Sequence, residues 1–326
     1  VPDALRLVPG MEVADLSYGN NAVAPRAWNS FINRHVLVLV DGRQIFDSMF
    51  GGSMWHAWPF QLEDIERIEV IRGPGGIIWG PNANNGVINI ITKKPGDQQG
   101  LTLVGKGGSR GMNKEYVGYG LVDEKLSMRI SGEHEGSDGF KKGGSFLRNL
   151  DDRYQAGRIS LHSVYEAGPK DTVTVSGGHA SVWDGYPPSP LVGIGVNQRT
   201  GSQGSFLLGK WSHVIAEDNN LELTGYVNDF GLCVGSPAMD YRYQQIALQL
   251  SHIFRSGDNH QWTWGIDTRQ DLLDGTNADP FMFSKNYITS GIVGIYLHDE
   301  WRLAPRWALN LGGRIDYDSY AGWYPT

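Results

Sequence analysis

The sequence predicts a membrane all-β protein, a transmembrane β-barrel preceded by a small α+β domain. Three observations point there. After Lys93-Lys94-Pro95-Gly96 the chain adopts a period of two, with Leu221, Leu223, Gly225 and Val227 alternating with Glu222, Thr224, Tyr226 and Asn228. Each such strand has one apolar and one polar face. The connectors alternate short and long: tight turns at 123–124, 167–170, 216–219, 256–259 and 304–306, long segments at 135–151, 182–202, 230–239 and 271–286. Short turns at one end and long loops at the other are the pattern of an up-and-down membrane barrel. Finally, glycine supplies 44 of 326 residues, about twice ordinary usage, and aromatics 11%. That mixture suits strands joined by turns and argues against a helical bundle. A soluble sandwich or propeller also gives regular short strands, so it stays open on this pattern alone.

Eleven strands are expected, at 99–108, 113–122, 125–134, 152–163, 171–181, 203–213, 219–229, 240–253, 259–270, 287–301 and 306–318. Each is near the ~10-residue length of a tilted membrane strand. Aromatics near strand ends, namely Tyr154, Trp211, Tyr241, Tyr243, Trp262, Trp301 and Trp307, suit interfacial girdles. No apolar run approaches the ~18 residues of a membrane-spanning helix, and the mean hydropathy of −0.32 is that of alternating strands. The region before Pro95 reads differently. Pro2 to Val8 forms a short helix stopped by Pro9-Gly10, His35 to Val40 is a buried strand ending in the Asp41-Gly42 turn, and strands follow at 68–71 and 87–91.

A formal charge of −7 and a pI near 5.7 give no electrostatic footprint for nucleic acid. The single cysteine, Cys233, excludes an intrachain disulfide framework and a multi-cysteine zinc site. Catalytic motifs fail on context. Gly107 to Gly111 matches a nucleophile-elbow string but lies in a glycine-rich hairpin loop, and Gly73 to Ile78 lacks the third glycine of a dinucleotide loop. Gly75 to Gly80 runs into Pro81-Asn82 where a phosphate loop needs Lys-Ser/Thr, and the nine histidines are scattered. No catalytic residue, protein metal site or resident cofactor is expected.

Residues 65–95, IERIEVIRGPGGIIWGPNANNGVINIITKKP, resemble the plug-domain hallmark of TonB-dependent outer-membrane receptors, siderophore and colicin receptors in particular. Pro2 to Leu5, Val8 to Gly10 and Val38 to Arg43 extend the likeness upstream. By motif it covers the first third of the chain. The resemblance implies a plug (1–96, without its TonB box) inside a 22-stranded barrel of which 97–326 is the first half, so the chain is expected to be part of a protein about twice its size. It also implies the outer membrane of a Gram-negative bacterium, a non-enzymatic active transporter, and energy from TonB and its inner-membrane complex.

A ferric siderophore is the first expected ligand, its iron arriving as cargo. Cobalamin, haem, another metal complex or a glycan stand behind it, as do a passive porin and a surface receptor for bacteriocins or phage. Candidate ligand contacts are Phe50, Met54, Trp55, His56 and Trp58 in an aromatic segment after the Asp-Gly turn, with Trp28, Trp183 and Tyr186 added. The same side chains could instead pack the plug against the barrel wall. Arg67 and Arg72 are candidate plug–barrel contacts, Arg72 expected to meet a barrel carboxylate. The alternative is that both pair with Glu66 or Glu69 on the plug surface.

Overall fold

A period-two sequence can bury one face of a strand against one solvent and the other face against a second, and the chain uses both faces. The computed structural model describes residues 1–25, 35–48, 51–73, 75–140, 152–186, 198–233, 240–278 and 285–325. In the N-terminal part, α1 (Pro2–Leu5) leads into a hairpin of β1 (Met11–Ser17) and β2 (Asn20–Pro25). Next comes a four-stranded sheet of β3 (Val36–Val40), β4 (Arg43–Gln44), β5 (Ile65–Arg72) and β6 (Gly86–Thr92), in the order β4-β3-β6-β5. β3 runs parallel to β6; β3 is wholly buried and β6 buried over most of its first five residues, because apolar residues fill successive positions. The turn after β3 is left-handed at Asp41 (φ 53°) and Gly42 (φ 89°), as an Asp-Gly hairpin requires. A single turn of helix, α2 (Gly76–Trp79), lies inside the glycine-rich hallmark, where no helix was expected. The β1–β2 hairpin was also unforeseen.

The remainder is one antiparallel sheet in strict chain order: β7 (Gly100–Gly107), β8 (Asn113–Val122), β9 (Leu126–Ser137), β10 (Tyr154–Glu166), β11 (Asp171–Tyr186), β12 (Gln198–Ala216), β13 (Asn219–Cys233), β14 (Tyr241–Ser256), β15 (His260–Asp274), β16 (Tyr287–Ala304), β17 (Trp307–Asp318) and β18 (Gly322–Pro325). All eleven expected strands are present, and the four-residue β18 makes a twelfth. Its Trp323 and Tyr324 pair with Tyr317 and Asp316 across a turn too short to read from alternation. β9, β11, β12, β13 and β15 run further than expected toward the long-loop end. β12 has 19 residues; at ~3.3 Å per residue and a tilt of ~45° this exceeds a ~30 Å hydrocarbon core.

Parity sorts the side chains. Leu101, Val117, Ile130, Ile159, Leu207, Leu248, Ile266 and Ile295 are exposed on the outer face. Tyr116, Arg129, Glu133, Tyr154, Ser176, Leu208, Tyr226 and Gln245 are buried on the inner face beside the plug. The girdle expectation divides accordingly. Trp301 and Trp307 are exposed, whereas Tyr154, Tyr241 and Tyr243 are buried, because their parity turns them onto the plug.

Where the wall meets the plug, small residues set the approach. A Cβ on Gly204 would lie inside van der Waals contact with the Ala57 carbonyl, whereas one on Gly209, further along β12, would meet nothing within 4 Å. Gly204→Ala is expected to cost about 1–3 kcal/mol of plug docking, while Gly209→Ala stays within ~0.5 kcal/mol. Calorimetric unfolding of the two variants side by side checks both.

Candidate functional site

The plug meets the wall at β12–β14, at β7–β10 and, through α2, at β16–β17, where Ile77 lies beside Gly312 and Gly80 beside Arg314; the first two contacts differ in chemistry. On the β12–β14 side the contact is mainly apolar. Met54, Trp55 and Trp58 (the tryptophans 6% and 3% exposed) join Val38, Val40, Ile88 and Ile90 of the plug and Phe230, Leu232, Tyr241 and Tyr243 of the wall in one core. Trp58 lies 6.2 Å from Phe230 between ring centroids. Fully burying side chains of this size is worth about 1.5–3 kcal/mol each. These residues therefore hold the plug to the wall, and Trp55, with His56 beside it, also borders the outer pocket described below.

A cation sits within this interface. Arg43 of β4, 1% exposed, places its guanidinium carbon 4.0 Å from the Phe206 ring centroid and 4.9 Å from that of Trp58. Its Nη1 donates to Asn228 Oδ1 at 2.7 Å, and Asn228 Nδ2 donates back to the Gln44 carbonyl at 2.7 Å. Among the described residues no carboxylate comes within ion-pair distance of it. Burial pushes the Arg43 guanidinium down to about 9, against the pull of Tyr226 and Asp41, so it stays charged at neutral pH. Aromatic faces and one amide thus take the place of a counter-ion.

The second interface, against β7–β10, is ionic. Asp64 accepts from Arg129 Nε at 3.0 Å, Tyr116 OH at 2.5 Å and Ser131 Oγ at 2.6 Å, and Arg129 also reaches Tyr116. Glu63 accepts from Lys106 at 2.5 Å, with Lys114 at 3.5 Å. The plug supplies the carboxylates and the wall the cations, the reverse of the expected polarity. Arg67 pairs with Glu66 at 3.0 Å and Glu69 at 2.8 Å on the exposed plug surface. Arg72 donates to the Pro9 carbonyl at 3.0 Å and meets no barrel carboxylate among the described residues. Both lie on β5, which pairs with β6 at the edge of the plug sheet, so their outward side chains find plug partners.

At the long-loop end, polar groups seat the tips of the plug. Asn20 Nδ2 donates to Asp184 Oδ2 at 2.6 Å, and His56 Nε2 lies 3.6 Å from the same oxygen. Burial lowers the pKa of His56 despite Asp184, leaving a neutral imidazole at neutral pH. Tyr241 donates to Asp47 and Ser48 to Asp271. Beside these contacts a pocket of about 330 Å³ opens between the plug and β7–β10, bordered by Tyr18, Trp55, Lys114, Phe140, Tyr154 and Arg158. Trp183 is not part of it. Its parity is opposite to that of buried Asp184, so it points outward and is 54% exposed. Tyr186 ends β11, with only its backbone described, and Trp28 and Phe50 lie outside the described residues. Tyr18, Phe140, Asp64 and Arg129 escaped the sequence reading. The available signal was an arginine at an inward position of β9 between Ser127 and Ser131, where a barrel wall needs a partner from the lumen.

A barrel wall with an apolar outer face, wrapped on a separate globular plug, defines a plugged outer-membrane receptor. Family models agree: residues 1–87 match the TonB-dependent receptor plug domain and 104–326 the TonB-dependent receptor-like β-barrel. The chain belongs to the TonB-dependent receptors, proteins of the Gram-negative outer membrane and not an enzyme class. It is 26% identical over 345 residues to the iron-regulated outer membrane virulence protein of Vibrio cholerae, covering 99% of this chain and 50% of that protein. It is 40% identical to the vitamin B12 transporter BtuB of Vibrio vulnificus over 139 residues, 42% of this chain and 22% of that one. The chain thus spans about half the length of the curated relative it matches end to end. Among solved structures it resembles the siderophore receptor PirA from Acinetobacter baumannii (TM-score 0.77, 17% identity, 99% of this chain and 55% of that one). It also resembles a variant of the ferric enterobactin receptor PfeA from Pseudomonas aeruginosa in complex with enterobactin (TM-score 0.75, 16% identity, 100% and 56%).

Two outcomes follow from this geometry. Truncating Trp58 to alanine is expected to cost about 3–5 kcal/mol, read as a lower Tm of the plug transition in the intact receptor. For Glu63, burial raises the pKa, but the hydrogen bond from Lys106 and the charge of Lys114 outweigh it and hold the carboxyl below its usual 4.5. A depressed carboxylate stabilises the docked plug above pH 4.5, and that contribution is lost as the pH falls through the lowered value. Hydrogen exchange of the 59–64 segment should accelerate on acidification below pH 4.5 in the parent more than in Glu63→Gln.

Proposed function

We propose that this chain is the plug and first barrel half, divided near residue 96, of an energy-coupled importer whose cargo is a ferric siderophore. One observation carries the reading: likeness to an iron-regulated outer-membrane protein extends over 99% of the chain, through plug and wall alike, while likeness to the vitamin B12 transporter spans only 42%. The outer pocket is compatible with it. Tyr18 and Phe140, 6.1 Å apart between ring centroids, are half-buried there over the buried Tyr154 and can stack on a planar aromatic ligand. Iron would enter as part of the cargo, with no metal resident in the protein. TonB and its inner-membrane complex would supply the work; bacteriocins or phage would use the same outer face. The plug filling the space beside the wall speaks against a passive porin.

Cobalamin import is the second reading, favoured by the 40% identity to BtuB. Tryptophan quenching of the full-length receptor, titrated with a ferric tricatecholate, a ferric hydroxamate, cobalamin and haem, separates them. Sub-micromolar quenching by a ferric siderophore alone is expected. Saturable binding of cobalamin or haem instead would replace the siderophore reading.

A further inference from the structure

Resting on the import reading, we propose that cargo crosses along the seam between plug residues 59–64 and strands β9–β11, and that Asp64 is the latch that closes it. Three cavities lie in a row on that side. The outer pocket of about 330 Å³ borders Phe60 and Leu62. A neck of about 40 Å³ shares Phe60 with it and is lined by Gln61, Asp64, Arg129, Ser131 and Ser160. An inner chamber of about 1000 Å³, toward the short turns, shares Asp41, Thr92 and His162 with the neck. Among the described residues on this side, the neck lies between the outer space and the inner one.

The neck is closed by polar contacts. Besides the three bonds to Asp64, Ser160 Oγ donates to the Pro59 carbonyl at 2.9 Å and to Gln61 Oε1 at 3.2 Å, and His162 Nδ1 lies 3.3 Å from Thr92 Oγ1 and 3.2 Å from Ser176 Oγ. Gln61 Nε2, Gln98 Oε1 and Arg43 Nε have no hydrogen-bond partner around this void, whose size and polarity suit water. Parting this seam exchanges protein hydrogen bonds for bonds to water, a nearly balanced trade. Parting the plug from β12–β14 would expose Trp58, Phe230 and Leu232 to water. The apolar side therefore acts as the hinge and the ionic side as the opening. The wall of the chamber beyond carries Thr174, Lys210, Glu222, Thr224, Ser251 and Thr263, groups that exchange bonds readily with a hydrophilic cargo.

Disulfide locks in the full-length receptor, built on Cys233→Ser, test this. Gln61→Cys with Ser160→Cys pins the seam, and Ser48→Cys with Asp271→Cys, replacing a pair 2.8 Å apart, pins the other side. With a radio-iron-loaded tricatecholate as probe, oxidation of the first pair should abolish uptake at unchanged binding, reversibly on reduction, and oxidation of the second should leave uptake intact. Uptake through a locked seam, or equal block by both locks, overturns the proposal. A cargo-independent arm uses vancomycin, which the intact outer membrane excludes. Asp64→Ala, and Arg129→Gln as its partner variant, should lower the inhibitory concentration several-fold, with heat-dependent gel mobility confirming a folded barrel. Unchanged resistance in both folded variants also overturns the seam. Leak through Asp64→Ala without tricatecholate uptake by the parent would instead overturn the substrate reading and leave the seam standing.

Discussion

Everything in this chain hangs on the two-residue period of its strands. In hydrocarbon every backbone N–H and C=O must find a partner within the sheet, and strands paired in strict chain order do this without help from side chains. The side chains are then free to serve two environments at once. Leu207 and Leu248 face outward while Leu208 and Gln245 face the plug, on the same strands. The inner face needs no uniform polarity, so it can be apolar where it grips and ionic where it must let go.

That division organises the plug interface. Trp58 and Phe206 close around Arg43, whose charge is satisfied by ring faces and Asn228 in place of a carboxylate. A lone buried cation is costly unless compensated, and two aromatic faces supply part of that compensation while remaining apolar neighbours for the core. On the other flank Glu63 and Asp64 are held by Lys106, Lys114, Arg129, Tyr116 and Ser131. Its contacts are directional, individually weak against water and sensitive to charge. An interface that is apolar on one side and ionic on the other has a built-in axis about which it can open.

Much of the fold was legible because alternation and turn chemistry are local signals. The five tight turns, eleven strands, the Asp41-Gly42 turn and the strands flanking the glycine-rich hallmark all follow from windows of about ten residues. The β1–β2 hairpin was not legible, since its residues carry no clean alternation and its stability comes partly from Asn20 reaching Asp184, 164 residues away. The site was less legible still. Aromatic residues at 54–58 look alike whether they meet a ligand or a wall. Only the packing of Met54 and Trp58 in the core with Phe230 and Tyr241 assigns them to the wall, while Trp55 and His56 also border the outer pocket, and only parity against Asp184 turns Trp183 outward.

The sequence by itself determined the class of fold, the chain order of the wall and the family, because backbone pairing in lipid admits few solutions and each leaves a periodic imprint. Tertiary structure alone decided which charges meet. Arg67 takes the local alternative, Glu66 and Glu69, and Arg72, expected to reach a wall carboxylate, meets the Pro9 carbonyl, while Asp64 and Arg129, 65 residues apart, form a contact between plug and wall. Electrostatic partners are chosen by proximity in the folded chain, and over such separations a sequence records the charges but not the distances between them.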